Sequence, residues 1–326
     1  MSVHDRKRPF PRLFAAVALA ACTFAASPAR AQVEGLEIIA PASPGGGWDQ
    51  HARALQQVLQ DNGLASNVQV MNIPGAGGTI GLAQFVTSRK RNPTLLVGGQ
   101  IMQGAILMNN SPVTLEQVTP LARLTGEYTG VIVPTSSPLQ SLSDLVDQFE
   151  SDPGSVSWGG GSAGGSDQIL AGLIAEEIGV EPENINYVAT AGGGELLSQI
   201  LGGHITVALG GYNEFAPQID AGKLRPLAVS APERLPGIDT PTLKEQGIDL
   251  EYVNWRGIFA PDDVNPAELQ EFDEMIAAAV ESEQWQQLTQ QRGWIDLYMP
   301  SEEFDAFLEE EHPQIESTLQ ELGLSQ

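Results

Sequence analysis

The feature that most constrains the fold is a glycine-rich loop placed between a strand-like run and a helix-like run. Leu36, Ile38 and Ile39 predict a buried strand, and residues 40–49 read Ala-Pro-Ala-Ser-Pro-Gly-Gly-Gly-Trp-Asp. A helix that begins at such a loop presents unpaired backbone N–H groups and the positive end of its dipole, and glycine lets a ligand approach the backbone closely. The loop therefore predicts a site for a carboxylate or a phosphate.

Similar loops occur twice more in the chain. The pattern Gly-Gly-Trp-Asp at residues 46–49 recurs as Gly-Gly-Ser-Asp at residues 164–167, after the strand-like residues 156–158, and a further loop at residues 74–78 follows the strand-like residues 68–73. Repeated alternation of apolar strands and helices predicts an α/β fold with mainly parallel sheets. We expect two such loops to face each other from two domains and to form a two-sided clamp for an anion.

The first 31 residues predict an export signal. A basic start is followed by an apolar run over residues 13–26 and by Ala-Arg-Ala at residues 29–31, a cleavage site of the A-x-A type. The run is shorter than the roughly 20 residues that cross a bilayer, so we expect an exported, periplasmic protein. Residues 19–22 also resemble a lipoprotein box, in which case Cys22, the only cysteine of the chain, carries lipid. A single cysteine excludes an intramolecular disulfide.

The charge of the mature chain excludes several partners. Five of the 16 basic residues and one of the 41 acidic residues lie in the first 31 positions, which leaves 11 basic residues, 40 acidic residues and a net charge of −29. Such a surface repels nucleic acid and anionic lipid, so we expect neither as a partner. The acidity indicates either a saline habitat or simply an acidic protein. His51, His204 and His312 are scattered without metal-ligand spacing, so we assign no metal and no cofactor.

Five separated motifs carry a resemblance to a known family. They are Pro41-x-x-Pro-Gly-Gly-Gly-x-Asp49, Asn72-x-Pro-Gly-Ala-Gly-Gly78, Gly222-x-Leu-Arg-x-Leu-Ala228, Pro241-Thr-Leu and Trp255-x-Gly-x-x-Ala-Pro261. In this order, over essentially all of the mature chain, they resemble the extracytoplasmic solute-binding proteins of tripartite tricarboxylate transporters, the Bug or TctC proteins. The resemblance implies a Venus-flytrap receptor, in which two α/β domains joined by hinge strands close on a small carboxylate without catalysis.

The resemblance also implies where the ligand binds. In that family the carboxylates lie against two glycine-rich loops of the first domain and a Gly/Ser loop of the second, which correspond here to residues 43–49, 75–79 and 161–167. The predicted ligand-binding residues are Ser43, Gly46, Gly47, Trp48, Asp49, Ala76, Gly77, Gly78, Thr79, Ser162, Gly164, Gly165, Ser166, Asp167 and Tyr212. The first two loops are closer to the citrate-type branch, which implies a di- or tricarboxylate, although Gln168 stands where that branch is expected to have histidine.

Several of these residues have a structural alternative. Asp49 and Asp167 either cap their helices or contact the ligand, and a negative side chain at a helix start would repel an anion. Trp48 and Tyr212 are either core residues or walls of the binding cleft. Arg53, Arg123 and Arg256 are candidate counter-charges, but ion pairs are the favoured use of each, with Asp49 and Arg53 spaced for a pair on one helix.

The resemblance implies integral-membrane transporter subunits as partners, and we expect a monomer. We predict domain 1 over residues 32–125 plus 228–326, domain 2 over residues 126–227, and a signal peptide over residues 1–31. Two alternatives stay open: a periplasmic sensor subunit for a carboxylate, and an α/β enzyme that uses an anion or phosphate. The enzyme is the weaker alternative, since residues 75–81 do not match a G-x-G-x-x-G fingerprint and the chain has no Gly-Lys-Ser/Thr P-loop.

Overall fold

The computed structural model describes residues 1–2, 33–88, 92–190 and 193–324. The predicted lipid-bearing Cys22 and nearly all of the predicted signal peptide lie outside the described residues. From Val33 onward the described residues belong to one unit, Gln32–Gln326. Within the described residues, no helix combines the length and the apolar character that crossing a membrane requires.

The strands and helices alternate along most of the chain. The strands are β1 (Val33–Glu34), β2 (Glu37–Ala40), β3 (Ala65–Ser66), β4 (Gln69–Asn72), β5 (Thr94–Gly99), β6 (Val118–Pro134), β7 (Ser157–Gly160), β8 (Asn186–Ala189), β9 (Val207–Gly211), β10 (Leu224–Val229), β11 (Val253–Pro261) and β12 (Ile295–Pro300). The helices are α1 (Gly47–Asp61), α2 (Thr79–Thr87), α3 (Gln100–Met108), α4 (Leu142–Ser151), α5 (Ser166–Glu177), α6 (Gly193–Leu201), α7 (Tyr212–Asp220), α8 (Pro266–Glu281), α9 (Glu283–Arg292) and α10 (Ser301–Glu321).

Ten strands form one sheet with parallel ends and an antiparallel centre. Its order is β4-β2-β5-β11-β6-β9-β7-β8, and β10 and β12 also pair with β6. β2 is parallel to β4 and β5, and β7 is parallel to β8 and β9, as expected for strands that are connected through helices. The two parallel groups match the predicted α/β fold. They are joined by β6 and β11, which pair with each other in antiparallel orientation.

Strand β6 runs through both halves of the sheet. Its residues 118–128 pair with β11, whereas residues 129–134 pair with β9 and β10. Two large clusters of buried apolar side chains lie on either side of this change of partners. The first cluster includes Leu55, Phe85 and Phe259, and the second includes Phe149 and Trp158. We call these halves lobe 1 and lobe 2.

The buried clusters refine the predicted division into domains, which stays a prediction. The predicted domain 1 includes residues 228–326, yet Leu243, Ile248 and Tyr252 belong to the second cluster. β11 is the segment that returns to β5 in lobe 1. We therefore propose that the chain returns to domain 1 near Val253.

Helix α10 contributes to both clusters. Phe304 and Leu308 are buried in the first cluster, whereas Ile315 and Leu319 are buried in the second. Pro313 lies inside the helix between these two pairs. All of α10 falls within the predicted domain 1, because helical periodicity does not say which core each turn of a helix faces.

Candidate functional site

The glycine-rich loops lie where parallel strands end and helices begin. In lobe 1 the first loop (residues 41–46) joins β2 to α1, and the second loop (residues 73–78) joins β4 to α2. In lobe 2 the third loop (residues 161–165) joins β7 to α5. Loops that follow the carboxyl ends of neighbouring parallel strands gather at one edge of a sheet, which is where ligands bind in open α/β folds.

The first loop is a tight turn held by a carboxylate. Gly45 has φ +85°, a left-handed conformation that favours glycine, and the backbone N–H of Gly46 donates to the carbonyl oxygen of Ser43 at 3.0 Å. The N–H of Gly45 donates to Asp49 Oδ2 at 2.8 Å. Asp49 thus fixes the loop from inside the first turn of α1.

Asp49 is almost fully buried and has several donors. Arg53 donates from Nε to Asp49 Oδ2 at 3.0 Å, and Nη2 lies 2.9 Å from Oδ1, which is the expected ion pair. Asn72, at the end of β4, donates to Oδ1 at 2.8 Å. Burial would raise the pKa of Asp49, but the hydrogen bonds from Arg53, Gly45 and Asn72 hold it below its ordinary value. These contacts favour the structural alternative for Asp49 over ligand contact.

The third loop repeats this turn with a different acceptor. Gly164 has φ +68°, and the N–H of Gly165 donates to the carbonyl oxygen of Ser162 at 2.9 Å. Gly165 immediately precedes α5, just as Gly46 precedes α1. The N–H of Gly164 donates to Gln168 Oε1 at 2.8 Å. The structural counterpart of Asp49 is therefore Gln168, so the sequence repeat matched the two loops one residue out of register.

Asp167 has a separate role at the third loop. Its Oδ2 accepts from the N–H of Gly161 at 2.8 Å. Desolvation by burial and the charge of Glu127 raise the pKa of the Asp167 carboxyl to about 6, against the lowering effects of the Gly161 and Ser166 hydrogen bonds and the charge of Arg256. A carboxyl with this pKa changes its charge near neutral pH.

The second loop has an unusual backbone. Ala76 has φ +47° and lies within a run of left-handed residues from Gly75 to Gly78. Thr79 begins α2, and its Oγ1 donates to the carbonyl oxygen of Ala76 at 2.9 Å. An alanine in the left-handed region costs on the order of 1 kcal/mol, so the surrounding structure must stabilise this turn.

The second and third loops both contact helix α3. A Cβ placed on Gly77 would overlap the Cβ of Ala105, and a Cβ on Gly104 would overlap the carbonyl oxygen of Gly164. A side chain on Gly164 would also overlap Met108. Helix α3 therefore brings a loop of lobe 1 and a loop of lobe 2 together, as the predicted clamp requires.

Trp48 and Tyr212 are both buried. Trp48 is 8% exposed, belongs to the first cluster and lies against Gly78, where a Cβ would come within 2.7 Å of its ring. Tyr212 is 7% exposed and its hydroxyl is 3.1 Å from Thr240 Oγ1. Trp48 therefore supports the second loop, whereas Tyr212 packs beside Thr240, and ligand contact by either stays a prediction.

The predicted hydroxyl donors differ in accessibility. Ser43 and Ser162 are exposed, whereas Thr79 and Ser166 are buried in the first turns of α2 and α5. Of the predicted glycines and Ala76, Gly47 and Ala76 are exposed, Gly46 and Gly77 are half-buried, and Gly78, Gly164 and Gly165 are buried. Exposed loop backbone in lobe 1 and an exposed serine in lobe 2 are accessible to a ligand.

A buried ion pair lies between the first and third loops. Arg256 Nη2 on β11 is 2.6 Å from Glu127 Oε2 on β6, and both side chains are mostly buried. A Cβ on Gly47 would lie 2.9 Å from Arg256 Nη2, which places the guanidinium under the start of α1. The favoured use of Arg256 as an ion-pair partner is therefore present, and it occurs on the strands that join the lobes.

Two further carboxylates, Asp167 and Glu214, lie near this pair, and neither Glu127 nor Glu214 is among the predicted site residues. A Cβ on Gly211 would lie 3.4 Å from Glu127 Oε2 and 3.5 Å from Glu214 Oε1. Glu214 is exposed as a residue, but neighbouring atoms partly desolvate its carboxyl, and this desolvation together with the charges of Glu127 and Asp167 raises its pKa to about 7 against the lowering effect of Arg256. In the cleft, meaning the region bordered by the three loops and Arg256, the Arg256 guanidinium thus lies near the carboxyls of Glu127, Asp167 and Glu214. Within the described ranges, no group of three or more His, Cys, Asp or Glu side chains could hold a metal ion.

Comparison with known proteins identifies the family. The family model described as "Tripartite tricarboxylate transporter family receptor", or TctC, matches residues 51–324. Protein BugT of Bordetella pertussis is 30% identical over 241 residues, which cover 71% of this chain and 72% of that protein.

Solved structures show the same fold. A TctC solute binding protein from Polaromonas, without ligand, has a TM-score of 0.70 at 24% identity and covers 89% of this chain and 99% of that chain. The R. palustris protein Rpa4515 with adipate has a TM-score of 0.79 at 21% identity and covers 90% of this chain and 98% of that one. The predicted periplasmic-binding-protein fold is confirmed. The chain therefore belongs to the TctC family of tripartite tricarboxylate transporter receptors, and it is a solute-binding receptor rather than an enzyme.

Proposed function

We propose that this receptor captures a small organic di- or tricarboxylate of the citrate type by closing lobe 2 on lobe 1, and delivers it to the membrane subunits of a tripartite tricarboxylate transporter. The observation that carries the proposal is the meeting of the second and third loops on α3, each at the start of a helix. The adipate bound to the R. palustris protein supports a carboxylate as the ligand class.

The physical argument rests on replacing the hydration of the ligand. A carboxylate loses strong hydrogen bonds to water when it is buried, and this loss is large unless protein donors replace them. Backbone N–H groups at the starts of α1, α2 and α5 supply donors with favourable dipoles. Since these donors belong to both lobes, the ligand favours the closed arrangement and shifts the population towards it.

The cellular setting is part of the same proposal. The basic, apolar and Ala-Arg-Ala segments of the first 31 residues support export to the periplasm. A monomer is sufficient for capture, because both sides of the clamp come from one chain. Lipidation of Cys22 stays a prediction that mass spectrometry of the exported protein will test.

A thermal-shift screen of the exported protein tests the ligand class. The panel contains mono-, di- and tricarboxylates, amino acids and nucleotides, each at low and high salt. A ligand present at 100 times its Kd stabilises the native state by about 2.7 kcal/mol, so a di- or tricarboxylate should raise Tm while nucleotides leave it unchanged. The proposal would be contradicted if nucleotides alone raised Tm, or if no carboxylate did.

Serine variants locate the response within the cleft. Ser43→Ala and Ser162→Ala each remove one hydroxyl donor on opposite lobes, and each should weaken the carboxylate about fivefold, equivalent to about 1 kcal/mol. Ser317→Ala, an exposed position on α10, is the matched control and should bind as the wild type does. Equal affinity in all three variants would place the ligand elsewhere.

A further inference from the structure

A side-chain hydrogen bond joins the two lobes beside the long strand that they share. Asn213, in the first turn of α7, donates from Nδ2 to the carbonyl oxygen of Gly293 at 3.0 Å, and Gly293 lies at the end of α9. Phe215 of α7 is buried together with residues of β9 and β10 in lobe 2, whereas Trp294 belongs to the first cluster in lobe 1. We call this contact the interlobe hydrogen bond.

The pairing of the sheet explains why these two residues meet. β9 ends where it pairs with Thr129 of β6, and β12 begins where it pairs with Gly126. Only residues 127 and 128 of β6 separate the two pairs, so the end of a lobe 2 strand and the start of a lobe 1 strand lie close together along β6. The contact between Asn213 and Gly293 therefore lies beside the point at which β6 changes partners.

The backbone at Gly293 admits a close approach from the other lobe. Gly293 has φ +64°, a left-handed conformation that favours glycine, and a Cβ placed on it would overlap the amide group of Asn213. Gly63, just after α1 in lobe 1, has nearly the same φ of +65°. Beyond its chain neighbours, no described atom lies within 4 Å of a Cβ placed on Gly63. The two glycines thus share a conformation and differ in the side chain that crosses from lobe 2.

The first turn of α7 connects this contact to the cleft. Tyr212 Oη lies 3.1 Å from Thr240 Oγ1. Asn213 donates to lobe 1, and the next residue, Glu214, is one of the carboxyls near Arg256. Because these three consecutive residues lie within one helical turn, a bond that fixes Asn213 also fixes the backbone that carries Glu214.

We propose that Asn213 is a positioning residue for closure, and that its bond to Gly293 stabilises the closed arrangement of the lobes. This rests on the proposed closure around a carboxylate. In the same arrangement the third loop of lobe 2 lies against α3 of lobe 1, as the clamp requires. A bond made only in the closed arrangement raises the closed population, and ligand affinity rises by the same factor while the open form dominates. One hydrogen bond at an exposed position corresponds to a factor of about five.

Spin-label distances in the ligand-free protein test the interlobe hydrogen bond without any ligand. Labels at Gln84→Cys on α2 and Leu201→Cys on α6 report the separation of the lobes, and both positions are exposed. Asn213→Ala removes the donor and should lower the ratio of closed to open protein about fivefold, which moves amplitude away from the distance that matches this structure. A ligand-free distribution identical to that of the labelled wild type would overturn the proposal.

Titration calorimetry with citrate separates a role in closure from a role in folding. Gly293→Ala displaces the Asn213 amide and should weaken citrate about fivefold, and the double variant with Asn213→Ala should bind no more weakly than either single variant. Gly63→Ala introduces the same backbone strain without an interlobe contact, so it should lower Tm as Gly293→Ala does but leave citrate affinity unchanged. Equal citrate affinities in Gly293→Ala and Gly63→Ala would overturn the proposal.

The interlobe hydrogen bond and the choice of ligand fail in different ways. If citrate does not bind the wild type but Asn213→Ala changes the ligand-free distances, the positioning role stands and the citrate-type ligand is wrong. If the wild type binds citrate and the Asn213 and Gly293 variants bind it equally well, the ligand class stands and the positioning role is wrong. Thr87→Ala removes an exposed hydroxyl that donates to the Ala83 carbonyl within lobe 1, and as the control it should bind citrate as the wild type does.

Discussion

The first and third loops have nearly the same backbone but are held by different chemistry. In each, a left-handed glycine donates its N–H to a side chain four residues later, Asp49 in lobe 1 and Gln168 in lobe 2. Asp49 is further tied to Arg53 and Asn72, whereas no such ion pair holds Gln168 among the described residues. One geometry therefore accommodates a charged network or a neutral amide.

The carboxyl groups at the two loops differ in whether they change charge near neutral pH. In lobe 1 the carboxylate that organises the loop is buried and its pKa lies below the ordinary value. In lobe 2 an amide organises the loop, and the neighbouring carboxyl of Asp167 has a pKa raised to about 6. The comparison indicates that the lobe 1 loop keeps its charge at every physiological pH, whereas the lobe 2 side of the cleft does not.

The largest expected effect is at Asp49. Asp49→Ala leaves the N–H of Gly45, the amide of Asn72 and the guanidinium of Arg53 without their shared acceptor, and should lower the free energy of unfolding by about 3 kcal/mol. Denaturant unfolding measures the change. Asp61→Asn, at an exposed position on the same helix, is the control and should cost under about 0.5 kcal/mol. Equal costs at the two positions would show that the network does not stabilise the loop.

The pH dependence of ligand affinity is the next largest effect. Asp167 and Glu214, whose pKa values are raised to about 6 and 7, are ionised at pH 8 and repel an anionic ligand, and they become neutral as the pH falls. Carboxylate affinity should therefore rise by up to about tenfold from pH 8 to pH 5.5, with proton uptake on binding. Titration calorimetry in two buffers of different ionisation enthalpy measures both quantities. An affinity that falls or stays constant over this interval would contradict the assignment of these groups to the cleft.

Gln168 should matter less than Asp49. Gln168→Ala removes one neutral hydrogen bond to the N–H of Gly164 and should cost about 1 kcal/mol of unfolding free energy. Gln168→Glu keeps an acceptor at the same reach and should restore most of the loss. If Gln168→Ala is as destabilising as Asp49→Ala, the charged network at Asp49 does not stabilise its loop more than the neutral amide of Gln168 does.

The smallest effect concerns the second loop. Ala76 has φ +47°, and Ala76→Gly removes the Cβ that makes this left-handed backbone unfavourable. The substitution should raise the free energy of unfolding by up to about 1 kcal/mol. Part of this gain is offset because glycine increases the conformational entropy of the unfolded chain. Ala163→Gly, in the exposed part of the third loop, is the control, because Ala163 has no left-handed backbone, and it should be neutral or destabilising. Thermal unfolding of both variants will compare them.

The local architecture could be predicted from sequence because its signals are local. Alternating apolar runs and glycine loops predicted the strand–loop–helix units, and the spacing of Asp49 and Arg53 predicted their ion pair. The predicted alignment of the two loops was wrong by one residue, because it superposed their Gly-Gly doublets. The two structures superpose instead at the left-handed glycine, Gly45 or Gly164, whose N–H donates to a side chain four residues later. Conformation at Gly45 and Gly164 cannot be read from composition.

Long-range features could not be predicted in this way. Glu127 and Arg256 are 129 positions apart, and they meet only because β6 and β11 pair. A signal for Glu127 was nonetheless present, since an acidic residue in the middle of a long strand is expensive to bury without a partner. Helix α9 has only a weak signal in the sequence, because glutamines dominate it and give no apolar stripe, although Ser282 and Gly293 mark its ends as a cap and a left-handed terminus.

Closure of the lobes around a carboxylate is the central claim, and the distance between spin labels on the two lobes tests it directly. Gln84→Cys on α2 and Leu201→Cys on α6 provide exposed attachment sites, and the natural Cys22 lies in the predicted signal segment. A di- or tricarboxylate at saturation should shift the distribution to a single, different distance, and a nucleotide should leave it unchanged. An unchanged distribution with every carboxylate would contradict the account.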